Sequence, residues 1–162
     1  MKKIIAILSL SSVLITPALA TEKTGGNVGI NFSFDNAWGI QGEFNIQKPV
    51  SVQLFLKNYS RTYNYGNPWG SYSYSYTAFG VAGLYDFSKE LKIPNKKLHP
   101  YAGLGLHTVN AAFSGAGTVM SPPVSSGLYL TFGARYELSP EFDFDGNYNS
   151  FGGLTLGVNF KY

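Results

Sequence analysis

The last nine residues of the chain read Leu154-Thr155-Leu156-Gly157-Val158-Asn159-Phe160-Lys161-Tyr162. Apolar residues alternate strictly with polar or small ones along this stretch. Because successive side chains of a β-strand point to opposite faces, the alternation predicts a strand with one apolar face and one polar face.

Seven earlier runs show the same period of two. The apolar positions of these runs are Val28, Ile30, Phe32 and Phe34; Trp38, Ile40, Phe44 and Ile46; Val50, Val52, Leu54 and Leu56; Phe79, Val81, Tyr85 and Phe87; Ala102, Leu104 and Leu106; Leu128, Leu130, Phe132, Ala134, Tyr136 and Leu138; and Phe142, Phe144 and Tyr148. Proline cannot donate to a sheet ladder, and every proline after residue 20 lies between these runs or at the start of one. Together with the final stretch, the pattern predicts eight strands and no helix longer than a turn.

The composition narrows the class of protein. The chain has 162 residues, no cysteine and 13% charged residues, whereas a soluble globular chain averages about 25% charged residues. The missing cysteine excludes a zinc–thiolate site, a disulfide framework and a cysteine nucleophile. The length fits one domain.

The first 20 residues have the pattern of a cleaved secretory signal. Lys2 and Lys3 precede a mostly apolar segment that ends in Ala18-Leu19-Ala20. We therefore predict a signal peptide over residues 1–20 and a single barrel domain over residues 21–162. Removing the signal lowers the formal net charge from +3 to +1, and without a basic stripe no nucleic-acid partner is expected.

No run after residue 20 reaches the ~20 apolar residues of a transmembrane helix, so a chain that spans a membrane would do so as a closed barrel. Such barrels have short periplasmic turns and longer external loops. With the C-terminus in the periplasm, residues 47–49 and 139–141 become periplasmic turns, and residues 60–71 and 110–126 become external loops. The turn over residues 88–99 is long for the periplasmic side.

Aromatic and charged residues distinguish the two faces of the predicted strands. Aromatic residues of the apolar face cluster at the strand ends, as lipid interfaces select: Tyr85, Phe87, Tyr136, Phe142 and Tyr162 at one rim, and Phe34, Trp38 and Tyr148 at the other. The opposite face carries Glu43, Lys57, Arg135, Glu137, Asp143, Asp145 and Lys161. We therefore predict an all-β, eight-stranded, antiparallel up-and-down transmembrane β-barrel. A soluble lipocalin-like barrel is the alternative.

The seven charged residues of the polar face are expected to form a polar plug inside the barrel. An eight-stranded barrel is just wide enough to be filled by side chains, and buried charges must pair. A turn centred on Pro140 places Arg135 opposite Asp145 and diagonal to Asp143, so one of these two aspartates is its expected partner. The alternative to a sealing plug is a gated polar conduit.

No catalytic, metal or cofactor site is expected. His107 would have to act with a serine such as Ser150, for which no acidic orienting residue is visible. His99 and His107 lie at opposite ends of one strand, which argues against a shared metal site. No glycine-rich segment precedes a helix, so a phosphate cradle is not expected.

The best candidate for an external contact surface is the segment from residue 63 to residue 72. It contains Tyr63, Tyr65, Trp69 and Tyr72 among Asn, Ser and Gly residues, a composition typical of protein-binding loops. The alternative is that Tyr72, Tyr74 and Tyr76 extend the fourth strand above the membrane as a protruding sheet.

The chain resembles small OmpA/OmpX-like outer-membrane β-barrel proteins. The resemblance is carried by residues 131–138, 142–145 and 153–160 and by the Pro100-Tyr101-Ala102-Gly103-Leu104-Gly105 strand. Gly157, Phe160 and Tyr162 are similar to the terminal signal that hands such barrels to the barrel-assembly machinery, with Tyr replacing the preferred final Phe.

The resemblance implies the fold and a location in the outer membrane of the Gram-negative cell envelope, but the fold hosts several activities. We predict a monomeric, non-enzymatic protein with a structural or adhesin-like role. Its expected partners are outer-membrane lipid, lipopolysaccharide, the assembly machinery and an extracellular ligand, and no cofactor is expected. The alternative is a small porin-like channel; a lipid A-modifying enzyme or a soluble carrier is less favoured.

Overall fold

A computed structural model describes residues 25–34, 36–64, 71–115, 118–120, 125–150 and 152–162. The strands are β1 (Gly26–Ser33), β2 (Trp38–Gln47), β3 (Val50–Asn64), β4 (Ser71–Asp86), β5 (Leu98–Gly115), β6 (Thr118–Met120), β7 (Ser125–Glu137), β8 (Phe142–Asn149) and β9 (Gly153–Lys161). A helix long and apolar enough to cross a membrane is not found in the described ranges. The predicted signal peptide lies outside them.

Eight of the strands close into a barrel. Sequential strands pair antiparallel, β5 pairs with both β4 and β7, and β1 pairs with β9. At this closing seam the amides of Gly26 and Tyr162 donate to each other's carbonyl oxygens, at 3.2 and 3.1 Å. Within the described ranges, the short β6 pairs with the last residues of β5. The predicted eight-stranded antiparallel barrel is confirmed.

The burial of side chains is the reverse of that in a water-soluble protein. Apolar residues of the outward parity are open to the surroundings, as in Ile30, Leu104 and Phe132, which are 55–58% exposed. Polar residues of the inward parity are enclosed, as in Gln53 and Asn159, which are 2% and 0% exposed. This arrangement suits a barrel with lipid outside and a polar interior.

Aromatic side chains mark both rims of the apolar band. Phe34, Trp38 and Tyr148 lie at one rim and are 70%, 52% and 48% exposed. Tyr136, Phe142 and Tyr162 lie at the other rim and are also exposed. Gly26, Tyr162 and the turns after β2, β4 and β7 lie at this second end, which is the periplasmic end in barrels of this type.

Three strands continue well beyond the barrel at the outer end. The pairing of β2 with β3 stops at Trp38 and Asn58, whereas β3 stays paired with β4 as far as Asn64 and Ser71. We call residues 59–64, 71–76 and 111–115 the wall. At about 3.3 Å per residue, the two six-residue segments on β3 and β4 are about 20 Å long.

The wall corrects the predicted lengths of two external loops. The segment from residue 60 to residue 71 was expected to be a loop, but its first five residues continue β3; likewise β5 runs to Gly115. The alternative prediction, in which Tyr72, Tyr74 and Tyr76 extend the fourth strand, is the arrangement observed. Tyrosine, serine and threonine alternate here, and tyrosine and threonine favour the extended backbone.

Candidate functional site

All seven residues of the predicted polar plug lie on inward positions of their strands. Glu43, Lys57 and Asp145 are among the most enclosed, at 1–3% exposure. The seven residues do not form one cluster. Six of them form an ion pair, an ion triad at the periplasmic end, and a lysine that binds hydroxyl groups towards the outer end. The seventh, Asp145, binds neutral donors.

The ion pair joins opposite sides of the barrel. Arg135 Nη2 on β7 lies 2.6 Å from Glu43 Oε2 on β2. The Glu43 carboxylate also accepts hydrogen bonds from Ser51 Oγ and Asn27 Nδ2. The Arg135 guanidinium lies over the Tyr101 ring, 4.4 Å from its centre. Each partner of the pair therefore faces an opposite charge inside the lumen.

The predicted partner of Arg135 was wrong, although its register was right. Arg135 is directly opposite Asp145, as expected from the turn at Pro140. Asp145 instead accepts hydrogen bonds from Tyr101 Oη at 2.9 Å and Gln41 Nε2 at 3.0 Å. These neutral donors satisfy Asp145, and the long Arg135 side chain reaches across the lumen to Glu43.

The other two groups lie towards the ends of the lumen. At the periplasmic end, Lys161 Nζ lies 2.9 Å from Glu137 Oε1 and 3.0 Å from Asp143 Oδ1. In the outer half, Lys57 Nζ donates to Ser33 Oγ at 2.9 Å and to Thr155 Oγ1 at 3.0 Å. Polar contacts thus cross the lumen at several levels.

One half of the lumen is aromatic, which the sequence analysis missed. Phe55 and Tyr129 lie with ring centres 4.7 Å apart, and Tyr59 stacks on Tyr76 at 5.0 Å. These rings come from β3, β4 and β7, whereas the polar contacts concentrate on β1, β2, β8 and β9. The sequence contains an indication of this aromatic half, because the aromatic Phe55 stands between Gln53 and Lys57 on the polar face of its strand.

A cavity of about 210 Å³ lies at the periplasmic end of the lumen. Glu43, Tyr101 and Arg135 line it on the lumen side, and Asp86 and His99 line it near the turns. His99 Nδ1 is 3.3 Å from Asp86 Oδ2. The Glu43–Arg135 pair therefore borders the cavity on its lumen side.

The histidine and serine considered for catalysis are placed differently. The His107 ring packs on the inward side against Gly127, where an added Cβ would lie 3.1 Å from it. Ser150 is exposed beyond the end of β8, and its Oγ accepts a hydrogen bond from the Leu130 amide at 3.0 Å. Among the described residues, no three His, Asp or Glu side chains are grouped to hold a metal ion.

Two of the four predicted external contact residues, Tyr63 and Tyr72, lie at the tip of the wall, where their backbones are paired in the β3–β4 ladder. Tyr65 and Trp69 fall outside the described residues. Further aromatic rings line the inner side of the wall: Tyr74 is 4.6 Å from Phe113 and 5.8 Å from Tyr59.

The outer side of the wall carries hydroxyl groups instead of apolar side chains. Thr62 Oγ1 and Ser73 Oγ share a hydrogen bond of 2.8 Å on this side. At the base of the wall, Asn58, Thr77 and Asn110 are paired neighbours on the outward face. The apolar band therefore ends below this polar row, and the wall rises beyond the lipid.

Gly157 and Phe160 of the predicted assembly signal lie on β9, and Tyr162 follows the last residue of that strand. A Cβ on Gly157 would approach the Ile30 carbonyl oxygen to 2.8 Å, so the close packing of β9 on β1 favours glycine. Phe160 and Tyr162 point outwards and are 45% and 51% exposed. Their recognition during assembly stays a prediction.

Comparisons with known proteins agree with this geometry. The N-terminal β-barrel domain of Pseudomonas aeruginosa OprF is 17% identical, with a TM-score of 0.61 over 86% of this chain and 98% of that chain. Neisserial surface protein A is 21% identical, with a TM-score of 0.59 over 85% and 94%. Ail of Yersinia pestis, solved with the heparin analogue sucrose octasulfate, is 14% identical, with a TM-score of 0.55 over 85% and 94%.

At these identities the structural likeness shows the fold alone. A comparison with curated protein sequences finds no match. The family described as outer membrane protein beta-barrel domain matches residues 6–160, which is nearly the whole chain. The chain therefore belongs to the outer membrane protein β-barrel domain family.

Proposed function

We propose that this protein is a monomeric, non-enzymatic barrel whose wall and external loops contact a partner outside the cell, in an adhesin-like or structural role. The wall is the observation that carries the proposal. Its residues do not serve to span the membrane, because the polar row at Asn58, Thr77 and Asn110 already marks the end of the apolar band.

The chemistry of the wall favours contact with another molecule. Tyrosine offers a large, rigid surface with a polar tip at little cost in conformational entropy. Tyr72 and Phe113 remain 38% and 42% exposed on the inner side. Because three strands are held by a continuous ladder, these rings are fixed in place before a partner arrives, which lowers the entropic cost of binding.

The filled lumen supports a surface role over transport. The Glu43–Arg135 pair crosses the lumen, and the Phe55–Tyr129 contact lies in the aromatic half. Eight strands leave room for little more than such side chains. A small channel is the second candidate, favoured by the polar contacts and by the periplasmic cavity. Stepwise conductance of the folded protein in a planar bilayer would support the channel, and a silent bilayer supports the sealed barrel.

Export through the signal peptide over residues 1–20 and insertion by the barrel-assembly machinery through Gly157, Phe160 and Tyr162 are part of the proposal. Outer-membrane lipid and lipopolysaccharide would then surround the apolar band. Recovery from the membrane fraction with heat-modifiable mobility in an SDS gel is expected, whereas soluble recovery would favour the lipocalin-like alternative. An unchanged lipid A mass spectrum on overexpression is expected of a non-enzymatic barrel.

The contact role is tested by expressing the protein in a non-adherent bacterium and counting the cells that attach to cultured epithelial cells. Wild type should raise attachment above the empty vector, and Tyr63→Ser/Tyr72→Ser should abolish the increase. Ser73→Ala, on the hydroxyl side of the wall, is the matched control and should leave attachment unchanged. No increase with wild type would refute the adhesin-like role.

The structural role has a separate readout. Deleting the protein from the bacterium that makes it should then increase the sensitivity of the cells to detergent. A variant that lacks the part of the wall beyond the polar row should restore resistance. Restoration only by the chain with an intact wall would favour external contact instead.

A further inference from the structure

The turn between β4 and β5 has an ordered backbone. We call residues 88–97 the basic turn. The amide of Leu91 donates to Phe87 O at 3.0 Å, that of Lys92 to Lys89 O at 3.2 Å, and that of Ile93 to Ser88 O at 3.2 Å. The last two bonds form a Schellman motif, which ends a single helical turn. The unexpected length of this periplasmic turn therefore reflects a defined element.

The basic turn folds back against the lipid-facing rim of the barrel. Tyr85, an outward-facing rim residue, donates from its hydroxyl to Glu90 Oε1 at 2.7 Å. The Tyr85 ring also contacts that of Phe87, with centres 4.9 Å apart. Leu91 follows Glu90 in the chain, and its side chain is 58% exposed. An apolar side chain is thus presented at the level where the lipid headgroups begin.

Lysines flank Leu91 in the basic turn, at positions 89 and 92. The exposed lysines of this turn and the neighbouring β2–β3 turn are Lys48, Lys89, Lys92, Lys96 and Lys97, of which Lys48 and Lys89 also line the mouth of the lumen cavity. The turn that carries Lys48 is joined to the end of β4 by the hydrogen bond from the Asp86 amide to Pro49 O, at 2.9 Å. Glu90, the one acidic residue of the basic turn, is engaged by Tyr85. Excess positive charge therefore faces the surroundings.

The other side of the periplasmic end lacks this excess. Lys161 is committed to Glu137 and Asp143, and the turn after β7 carries Glu141 and no lysine. The charge asymmetry is therefore confined to one sector of the rim.

The conformation of Lys92 adds a second observation. Its φ is +49°, in the left-handed region where glycine is the usual residue of a Schellman motif. A lysine there is conformationally unfavourable, and such unfavourable residues concentrate at functional sites. The position of Lys92 is therefore better explained by its charge than by backbone stability.

We propose that the basic turn binds the headgroups of anionic phospholipids in the periplasmic leaflet of the outer membrane, with Leu91 inserted among the acyl chains. A basic cluster around an apolar side chain is the arrangement by which protein segments bind anionic membrane surfaces. The site lies on the lipid-facing side of the rim, so a phosphate-bearing lipid is already adjacent to it. This inference is independent of the role of the wall.

Native mass spectrometry of the folded protein in a neutral detergent tests the proposal, with phosphatidylglycerol and phosphatidylcholine as probes. Wild type should retain phosphatidylglycerol in preference to phosphatidylcholine, less so as salt is raised. Each lysine near an anionic surface contributes about fivefold to affinity. Replacing Lys89, Lys92, Lys96 and Lys97 together by Gln should therefore abolish the preference.

The matched control replaces the same four lysines by Arg, which keeps the charge and should keep the preference. Leu91→Ser should weaken retention of both lipids. Heat-modifiable mobility in an SDS gel shows that each variant is folded. Equal retention of both lipids by wild type, or a preference that survives the glutamine variant, would overturn the proposal. Binding to isolated peptidoglycan that needs these lysines, without a lipid preference, would overturn it in favour of a polymer partner.

Discussion

Replacing Glu43 by Gln should lower the free energy of unfolding of the barrel by about 3–5 kcal/mol. Gln keeps the shape of the side chain and one acceptor oxygen, so packing in the lumen is preserved. What is lost is the negative charge that faces Arg135 Nη2 across 2.6 Å. The guanidinium would then remain buried without its ion partner.

The magnitude follows from how enclosed the pair is. The Glu43 and Arg135 side chains are only 2% and 12% exposed, so the charge that remains after the substitution is largely buried. Removing one partner of a buried pair costs far more than removing both. The double variant Glu43→Gln/Arg135→Met should therefore recover most of the loss, with a coupling energy of about 2 kcal/mol or more.

Urea unfolding of the protein in lipid vesicles measures these differences. Trp38, which is 52% exposed on the lipid-facing side, reports unfolding by fluorescence, and mobility in an SDS gel gives an independent readout. A loss of less than about 1 kcal/mol in Glu43→Gln would refute the reasoning. It would mean that Arg135 turns to Asp145, its cross-strand neighbour, at little cost.

Three further predictions concern the barrel surface, its packing and the basic turn, each measured by urea unfolding in vesicles. Leu104→Arg places a charge on the lipid face and should cost about 2–4 kcal/mol, whereas Ser114→Arg on the wall should change stability by less than about 0.5 kcal/mol. Gly105→Ala should cost about 2 kcal/mol or more, because its Cβ would lie 1.9 Å from a backbone oxygen; Gly83→Ala, with nothing within 4 Å, should be tolerated. Lys92→Gly should stabilise by about 1 kcal/mol by relieving the left-handed conformation. Equal losses in either matched pair, or destabilisation by Lys92→Gly, would contradict these expectations.

Much of the barrel could be predicted from the sequence because the features that determine it lie within single strands and turns. A period of two assigns each side chain to the lumen or to the lipid, and the turn at Pro140 fixes the register of Arg135 with Asp145. Neither inference needs knowledge of strands that are distant in the chain.

Contacts across the lumen could not be predicted in this way. Glu43 lies on β2 and Arg135 on β7, and whether two such residues reach the same level depends on the tilt and stagger of all the strands. No local pattern encodes these quantities. The same holds for the ring contact between Phe55 and Tyr129, which joins β3 to β7.

The wall was uncertain for a different reason. Its Tyr, Ser and Asn residues have the composition of a binding loop, yet their alternation also suits a strand, so two interpretations of Tyr72, Tyr74 and Tyr76 were open. The structure distinguishes them because the ladder between β3 and β4 continues to Asn64 and Ser71. Alternation was the better guide here.

The polar row at Asn58, Thr77 and Asn110 has a consequence for how this protein can change over evolutionary time. Below the row, each substitution is constrained by lipid, by a filled lumen or by a neighbouring backbone. Above it, the strands β3, β4 and β5 are supported mainly by their own ladder. Selection for folding should therefore act weakly there, and the exposed surface of the wall can diverge in sequence while the barrel below it is preserved.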